Sequence, residues 1–308
     1  MNHIIAAPIG LSKYKPLPHI MCYDDFDHGL NGWMDLRCNL VEPGFTPRKS
    51  IYKQMRSAPV CLSAAAFGWA GTHGSMDGLY SLKLSTRPVS DRYENMPAPG
   101  ASSMAIKRLT FQRPLDLVQY ETWFSYTVEQ DRFGHGEKDF RAFCFCMDIQ
   151  DGTYRYVPGI RYVNSVNGRL TKRWQYSHSI AKSDEEWGYD SKGEWFANGI
   201  DPQWFGKRRP DGSTDSFQWL GEDNHELCYN ETDDKINWIY FRMTFDLAKR
   251  EYVEMECQGK VFDMRGLAPT LARRYDNIDM LINPFVNIEN DTNRRIYLYM
   301  DSFCLSFL

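Results

Sequence analysis

The sequence has few of the features that mark several large classes of protein. It has no basic block: Lys and Arg total 36 against 40 Asp and Glu, a net charge of −4. That balance argues against a nucleic-acid backbone or an anionic membrane as partner. No apolar run is long enough to span a bilayer, and the longest weakly polar stretch, Pro59 to Gly71, is short and interrupted by serine. Eight Cys in 308 residues are too sparse for a disulfide scaffold, and no C-x-x-C pair points to zinc or redox chemistry. The first twenty residues lack a basic start and their apolar run breaks at Pro8, so a secretory signal is not expected. Together these absences give the expectation of a cytoplasmic protein with free thiols.

Catalytic motifs are also missing. The seven His are scattered, with neither an H-x-H nor an H-E-x-x-H run, and there is no G-x-S-x-G or P-loop segment. Helical periodicity of useful length appears nowhere, and no internal repeat shows at solenoid or propeller periods. The abundant residues are aromatic: 9 Trp, 18 Tyr and 18 Phe. Such a composition favours β structure and flat, sugar-like or partner surfaces.

Period-two alternation fills most of the chain. Leu82 and Leu84 face one way and Lys83 and Ser85 the other. From Val118 to Glu129 the series Val118, Tyr120, Thr122, Phe124, Tyr126, Val128 opposes Gln119, Glu121, Ser125, Thr127 and Glu129, with Trp123 standing among the polar residues. That is the pattern of a half-buried antiparallel strand. Residues 140–149 are apolar on both faces, Phe140, Ala142, Cys144 and Cys146 against Phe143, Phe145, Met147 and Ile149, so both sides need a cover. The expectation is that a second layer covers one face and that an inserted loop, or a partner, covers the other, the Phe143 face. Asn167-Gly168 between two alternating runs predicts a type I′ hairpin, and residues 238–264 predict a meander turning at Leu247–Arg250 and at Gln258-Gly259. A last strand is expected over 295–305.

These patterns predict an all-β, antiparallel β-sandwich of jelly-roll type. Residues 1–20, with Pro8, Pro16 and Pro18, read as an extended leader over a single domain spanning 21–308. Regular patterning fails over about 178–236, a long irregular insert containing Trp187, Trp195, Trp204 and Trp219. An unpatterned run of this length inside a compact domain is usually functional. It is expected to fold onto the sandwich and to form a wall of a ligand site or of a subunit interface.

Both chain ends carry a resemblance. The run Tyr23-Asp-Asp-Phe-Asp-His-Gly-Leu-Asn-Gly-Trp33 resembles the opening of concanavalin A-like jelly-roll domains, and Arg294-Arg-Ile-Tyr-Leu-Tyr-Met-Asp301 resembles their closing strand. This resemblance, at superfamily level, implies the jelly roll and a structural calcium ion between the first and last strands, held by Asp25 and Asp301. Hard carboxylate oxygens suit that ion. The Glu-x-Asp-x-Glu-type run of the superfamily's glycosidases is absent; the nearest candidates are Asp148-Ile-Gln-Asp151 and Glu254-Met-Glu256, and Glu254 and Glu256 share a strand face that reads more readily as a solvated edge.

Aromatic faces carry the ligand expectation. Tyr156 and Tyr162 alternate around Arg161, with Trp174 across the hairpin, and His225-Glu226 is the compact group pairing a neutral-pH base with carboxylates. Rings flanked by Arg and carboxylates suit sugars, whose C–H faces stack while polar groups bind the hydroxyls. The expected ligand-binding set is therefore Tyr156, Arg161, Tyr162, Trp174, His225 and Glu226. Three roles stay open for a carbohydrate- or glycoside-directed protein: a glycoside-processing enzyme, a non-catalytic binding module, or a β-sandwich subunit of a heteromeric enzyme of the C-deglycosylation type. Homo- and hetero-oligomers are both compatible with the pattern, and no nucleotide or redox cofactor is expected.

Overall fold

The computed structural model describes residues 9–38, 60–64, 74–86, 102–128, 136–178, 216–231, 237–273, 280–290 and 295–308. Two antiparallel sheets face each other. The first has eight strands and is built around β6 (Leu117–Val128) and β17 (Ile296–Phe307), the two longest strands in it. On one flank of β6 lie β12 (Ile239–Asp246), β13 (Glu251–Cys257) and β14 (Lys260–Asp263); beyond β17 lie β4 (Tyr80–Ser85) and β3 (Val60–Ala64), with β1 (His19–Asp24) also paired to β17. The second sheet has nine strands. Its main order runs β11 (Phe217–Trp219), β10 (Arg169–Ser177), β9 (Gly159–Val166), β7 (Phe140–Asp151), β16 (Met280–Asn290), β5 (Ser102–Lys107) and β2 (Trp33–Cys38), while β8 (Tyr154–Tyr156) joins β7 to the short β15 (Ala272–Arg273). Helix among the described residues is confined to short 3-10 turns such as Ile9–Lys13.

The hairpins form where their turn residues demand. Asn167 and Gly168 both take positive φ, 50° and 74°, joining β9 to β10, and Gln258 and Gly259 do the same at 47° and 78° between β13 and β14. That is the backbone of a two-residue I′ turn, whose twist matches the strands it joins. Pro284 stands inside β16 without breaking it. Its neighbour Ile282 donates its backbone N–H to Leu109 O, so the position two residues on points toward the end of β5, where the ladder has already been interrupted.

The core lies between the sheets. Tyr120, Phe124, Tyr126, Phe241, Met243, Phe245, Phe303 and Leu305 from the first sheet meet Phe143, Phe145, Met147, Ile149, Ile160, Tyr162 and Trp174 from the second. Rings pack edge-on or tilted, as at Tyr120–Phe303 (4.9 Å, 70°) and Phe124–Phe143 (4.8 Å, 56°), the arrangement their quadrupoles favour.

This corrects the expectation for residues 140–149. Phe143, Phe145, Met147 and Ile149 need no loop, because they are the interior face of the sandwich. The opposite face needs the cover: Cys144 and Cys146 pack with Met104, Ile106, Val157, Phe217 and Phe285 in a second, smaller cluster. Phe217 comes from the 178–236 stretch, which adds β11 to the sheet edge through Gln175–Trp219 and Ser177–Phe217 pairs. Farther on, Leu227 and Tyr229 from the same stretch enter the main core. Trp187, Trp195 and Trp204 lie outside the described residues.

Candidate functional site, a cleft on the outer face of the first sheet

The outer face of the first sheet is built in rows. Across β6, β12 and β13, Glu121, Arg242 and Glu256 stand opposite one another in one row. The adjacent row holds Trp123 opposite Tyr240, whose backbone carbonyl accepts the N–H of Gln258. Neighbouring strands lie about 4.8 Å apart, so the Cα atoms of Glu121 and Glu256 are roughly 10 Å apart with Arg242 between them.

The N-terminal segment crosses this face. Tyr14 buries its ring against Cys304, Tyr23, Trp123 and Tyr240, and its hydroxyl lies 2.5 Å from Ser302 Oγ. Ser302 sits beside Asp301 in an irregularity of β17, where one extra residue opposes β6 and re-aims both side chains. After Tyr14 the chain is pinned at Lys15. Its backbone N–H donates to Glu121 Oε1 (2.8 Å), its carbonyl accepts from Gln119 Nε2 (2.7 Å), and its ammonium reaches both oxygens of Glu256 (2.8 and 3.0 Å). Lys13 pairs with Asp77, and its carbonyl accepts from Trp123 Nε1 at 3.4 Å.

A cleft of about 420 Å³ opens beside this crossing, lined by Lys13, Lys15, Trp123, Cys228, Asn237, Trp238, Ile239, Tyr240, Glu256, Gln258 and Gly259. Trp123, Trp238 and Tyr240 are half-buried, presenting ring surface to the opening. Trp123 and Tyr240 are 5.4 Å apart at 49°, and the Lys15 ammonium lies 5.7 Å from the Tyr240 ring centre. The Tyr240 hydroxyl donates to Glu121 Oε1 at 2.5 Å. Burial, then the bond to Glu121 and its negative charge, raises the Tyr240 pKa, so this phenol stays a donor at neutral pH. Glu256 is only 7% exposed, and besides Lys15 it takes Arg242 Nη2 at 3.0 Å; the same Nη2 lies 2.6 Å from Glu254. The pair read from sequence as a solvated edge is thus an ion-paired group in which Glu256 is buried.

A family model described as a domain of unknown function (DUF6772) matches residues 1–307. The chain belongs to this family. No curated protein matches it. Among solved structures the chain is similar to a mutant of the alginate lyase Aly36B in complex with alginate trisaccharide, at 10% identity and a TM-score of 0.38, covering 74% of this chain and 84% of that one. It is also similar to a legume lectin-like domain from Entamoeba histolytica (9% identity, TM-score 0.35, 74% and 84% covered). A third such structure is the Emp47p carbohydrate recognition domain (9%, 0.34, 76% and 86%). The likeness is one of fold, the all-β sandwich that the two chain ends suggested, and at this size it carries no argument about ligands.

Of the residues expected from sequence to bind ligand, Tyr156, Arg161, Tyr162 and Trp174 are divided between the two faces of the second sheet, and His225 and Glu226 lie in the loop after β11. Tyr162, Trp174 and His225 converge: Trp174 Nε1 donates to His225 Nδ1 at 2.9 Å, and the Tyr162 hydroxyl donates to the His225 carbonyl at 2.8 Å. Both rings belong to the main core, as does Tyr156, which stacks on Phe245. Glu226 is exposed beside Lys172 (2.6 Å). Arg161 points to the opposite face, fully buried, with Nε and Nη2 on the two oxygens of Glu289 (2.9 Å each) and Nη1 on Gln175 Oε1 (2.7 Å). None of the six lines the cleft.

The two acids expected to hold calcium are engaged with donors. Asp301 Oδ2 accepts from Ser75 Oγ (2.6 Å) and from the backbone N–H groups of Met76 and Asp77. Burial, the larger effect, nevertheless raises the Asp301 pKa. Asp25 Oδ1 accepts the N–H of Asp27 at 3.2 Å. Calcium takes six to eight oxygens, whereas no group of three or more His, Cys, Asp or Glu among the described residues could hold a metal ion. One oxygen of each acid is thus engaged, Asp301 Oδ2 by three donors and Asp25 Oδ1 by one.

Trp238 and Tyr240 stand two residues apart at the head of the meander expected over 238–264, a spacing that puts them on one strand face. Lys13, Lys15 and Gln258 left no such signal, because they reach the cleft through the leader crossing and a turn. Trp123 did leave a signal, as the single large apolar residue in the polar series of β6.

Proposed function

We propose that the protein binds a carbohydrate in the cleft on the outer face of its first sheet. The observation that supports this reading is the grouping of Trp123, Trp238 and Tyr240 with Lys15, Asn237, Glu256 and Gln258 around one opening. Indole and phenol faces take the C–H faces of a pyranose ring, while hydroxyls find carboxylate acceptors and ammonium or amide donors at the edges. A cleft of about 420 Å³ is within the range of small-ligand sites and holds one or two sugar rings.

Binding is better supported than bond cleavage. A hydrolytic pair needs one carboxyl group to deliver a proton and another to act on water or on carbon. Here Glu121 accepts two hydrogen bonds on one oxygen, and Glu256 accepts from two cations, so both serve as acceptors and positioning groups. The test is isothermal titration against a panel of oligosaccharides, with Trp238→Ala as the control for location. A sugar should bind the native protein, and the variant should lose about tenfold in affinity, or ~1.4 kcal/mol. A protein that binds no sugar at millimolar concentration, or a Trp238→Ala variant that binds as well as the native chain, would overturn the reading.

A further inference from the structure

The charges around the cleft say which sugars it accepts. We infer that it selects uncharged sugars over uronic acids and sugar phosphates, an inference that rests on the carbohydrate reading above. Among the described residues, the cations beside the cleft are Lys13, Lys15 and Arg242, and each has an acidic partner: Lys13 with Asp77, Lys15 with Glu256, and Arg242 with both Glu254 and Glu256. Glu121 adds one more carboxylate, so three cations stand against four acids. Among the described residues an anionic ligand would meet no cation in surplus.

Geometry sharpens the point. Lys15 is the cation at the rim, its side chain 62% exposed, and its ammonium already spans both oxygens of Glu256. To serve an incoming carboxylate or phosphate it would have to turn from Glu256, and the new anion would then sit against Glu256, itself part of the cleft lining. Salt screens such a contact poorly where water is partly excluded. A hydroxyl group has no such conflict. It donates to Glu256 and accepts from the Lys15 ammonium at once, bridging the pair without breaking it. Tyr240 beside them, a half-buried part of the lining, adds apolar ring surface suited to a neutral sugar.

The experiment compares matched ligands on the full chain: gluco-, manno- and galacto-oligosaccharides against oligomannuronate, oligogalacturonate and glucose 6-phosphate, by isothermal titration at low and high salt. Neutral sugars should bind at least about tenfold more tightly than acidic counterparts of equal length, ~1.4 kcal/mol, with affinity nearly independent of salt. Glu256→Gln, which removes the carboxylate and keeps the side chain's shape, should narrow or reverse that preference. Uronates or sugar phosphates binding as tightly as neutral sugars, or an affinity that falls steeply with salt, would overturn the inference while leaving carbohydrate binding in place. Failure of both ligand classes would overturn the carbohydrate reading and this inference with it.

Discussion

His225 is the residue whose replacement has the most fully determined consequence. It stands at the edge of the core with its ring 5.8 Å from Phe262 and 6.1 Å from Trp174, and its own backbone N–H donates to Lys172 O at 2.7 Å. Trp174 is almost completely buried, so its indole N–H depends on His225 Nδ1 for an acceptor. That fixes the neutral tautomer with the proton on Nε2. Replacing His225 by Leu leaves a buried donor unpaired, a cost of about 1–3 kcal/mol. Because the imidazole is only half-buried and water can reach part of the space, the lower half of that range applies, about 1–2 kcal/mol. For a chain of this size the melting temperature should fall by roughly 2 °C per kcal/mol. His225→Gln, which restores an acceptor, should recover part of the loss.

The same bond makes stability depend on pH. A protonated His225 would present N–H to N–H, and burial, followed by the nearby Lys260 charge, lowers its folded-state pKa below the ordinary 6.5. Above that ordinary value the imidazole is neutral in both states and its contribution is fully present. As pH falls through 6.5 the unfolded chain takes up a proton that the folded chain resists, so stability declines until the folded pKa is reached. The ceiling for one proton is about 1.4 kcal/mol per pH unit, and half-exposure keeps the effect well under it. Melting curves from pH 7.5 to 5, native protein against His225→Leu, isolate the term because the carboxylates titrate in both. The native curve should fall more steeply between pH 6.5 and 5.5. Parallel curves with equal melting temperatures at pH 7.5 would refute the reasoning.

Further outcomes follow from other contacts. Lys107→Met removes the ammonium that meets Asp24 Oδ2 at 2.8 Å, leaving that buried carboxylate with only Trp33 Nε1 (2.9 Å) and the weak thiol donor of Cys22; chemical denaturation should show a loss of about 3–5 kcal/mol. A Cβ at Gly159 would lie 2.1 Å from Cys146 Sγ and 3.0 Å from the Cys146 Cα on the neighbouring strand, so Gly159→Ala should destabilise by at least about 1–3 kcal/mol in the same assay. Chelation with EDTA should leave the melting temperature unchanged, since Asp301 Oδ2 and Asp25 Oδ1 already accept from N–H and O–H donors; a drop of several degrees, restored by calcium, would contradict this.

Much of the fold was legible because its strands obey one rule each. Alternation located β4, β6 and β17, and Asn-Gly and Gln-Gly located two of the turns, since the physics of those elements is local. Residues 140–149 show where a local rule stops. A strand apolar on both faces states that each face is covered but not by what, and which face is interior depends on whether Phe124 and Phe241 arrive from the other sheet. They do, at 4.8 Å from Phe143 and 4.7 Å from Phe145. The smaller residues Cys144 and Cys146 are left to Phe217 and Phe285.

The cleft was harder to read for a related reason. Its rows are made by register: Glu121, Arg242 and Glu256 are more than a hundred residues apart at the extremes, and become neighbours only because β12 pairs β6 at Arg242–Glu121 and β13 at Arg242–Glu256. Sequence spacing singled out Glu254 and Glu256, the pair on one strand, whereas the sheet places Glu256 with Glu121, the pair across strands. Lys15 then joins the row from a segment with no strand of its own there, held by a backbone N–H, a carbonyl and an ammonium at once. A single Lys in a proline-broken leader carries no pattern that announces such a role. What could have drawn attention to this face is Trp123, because an indole on the polar side of an alternating strand has a cost unless something covers or uses it. Here the leader covers one side of the ring, and the other side is open to the cleft.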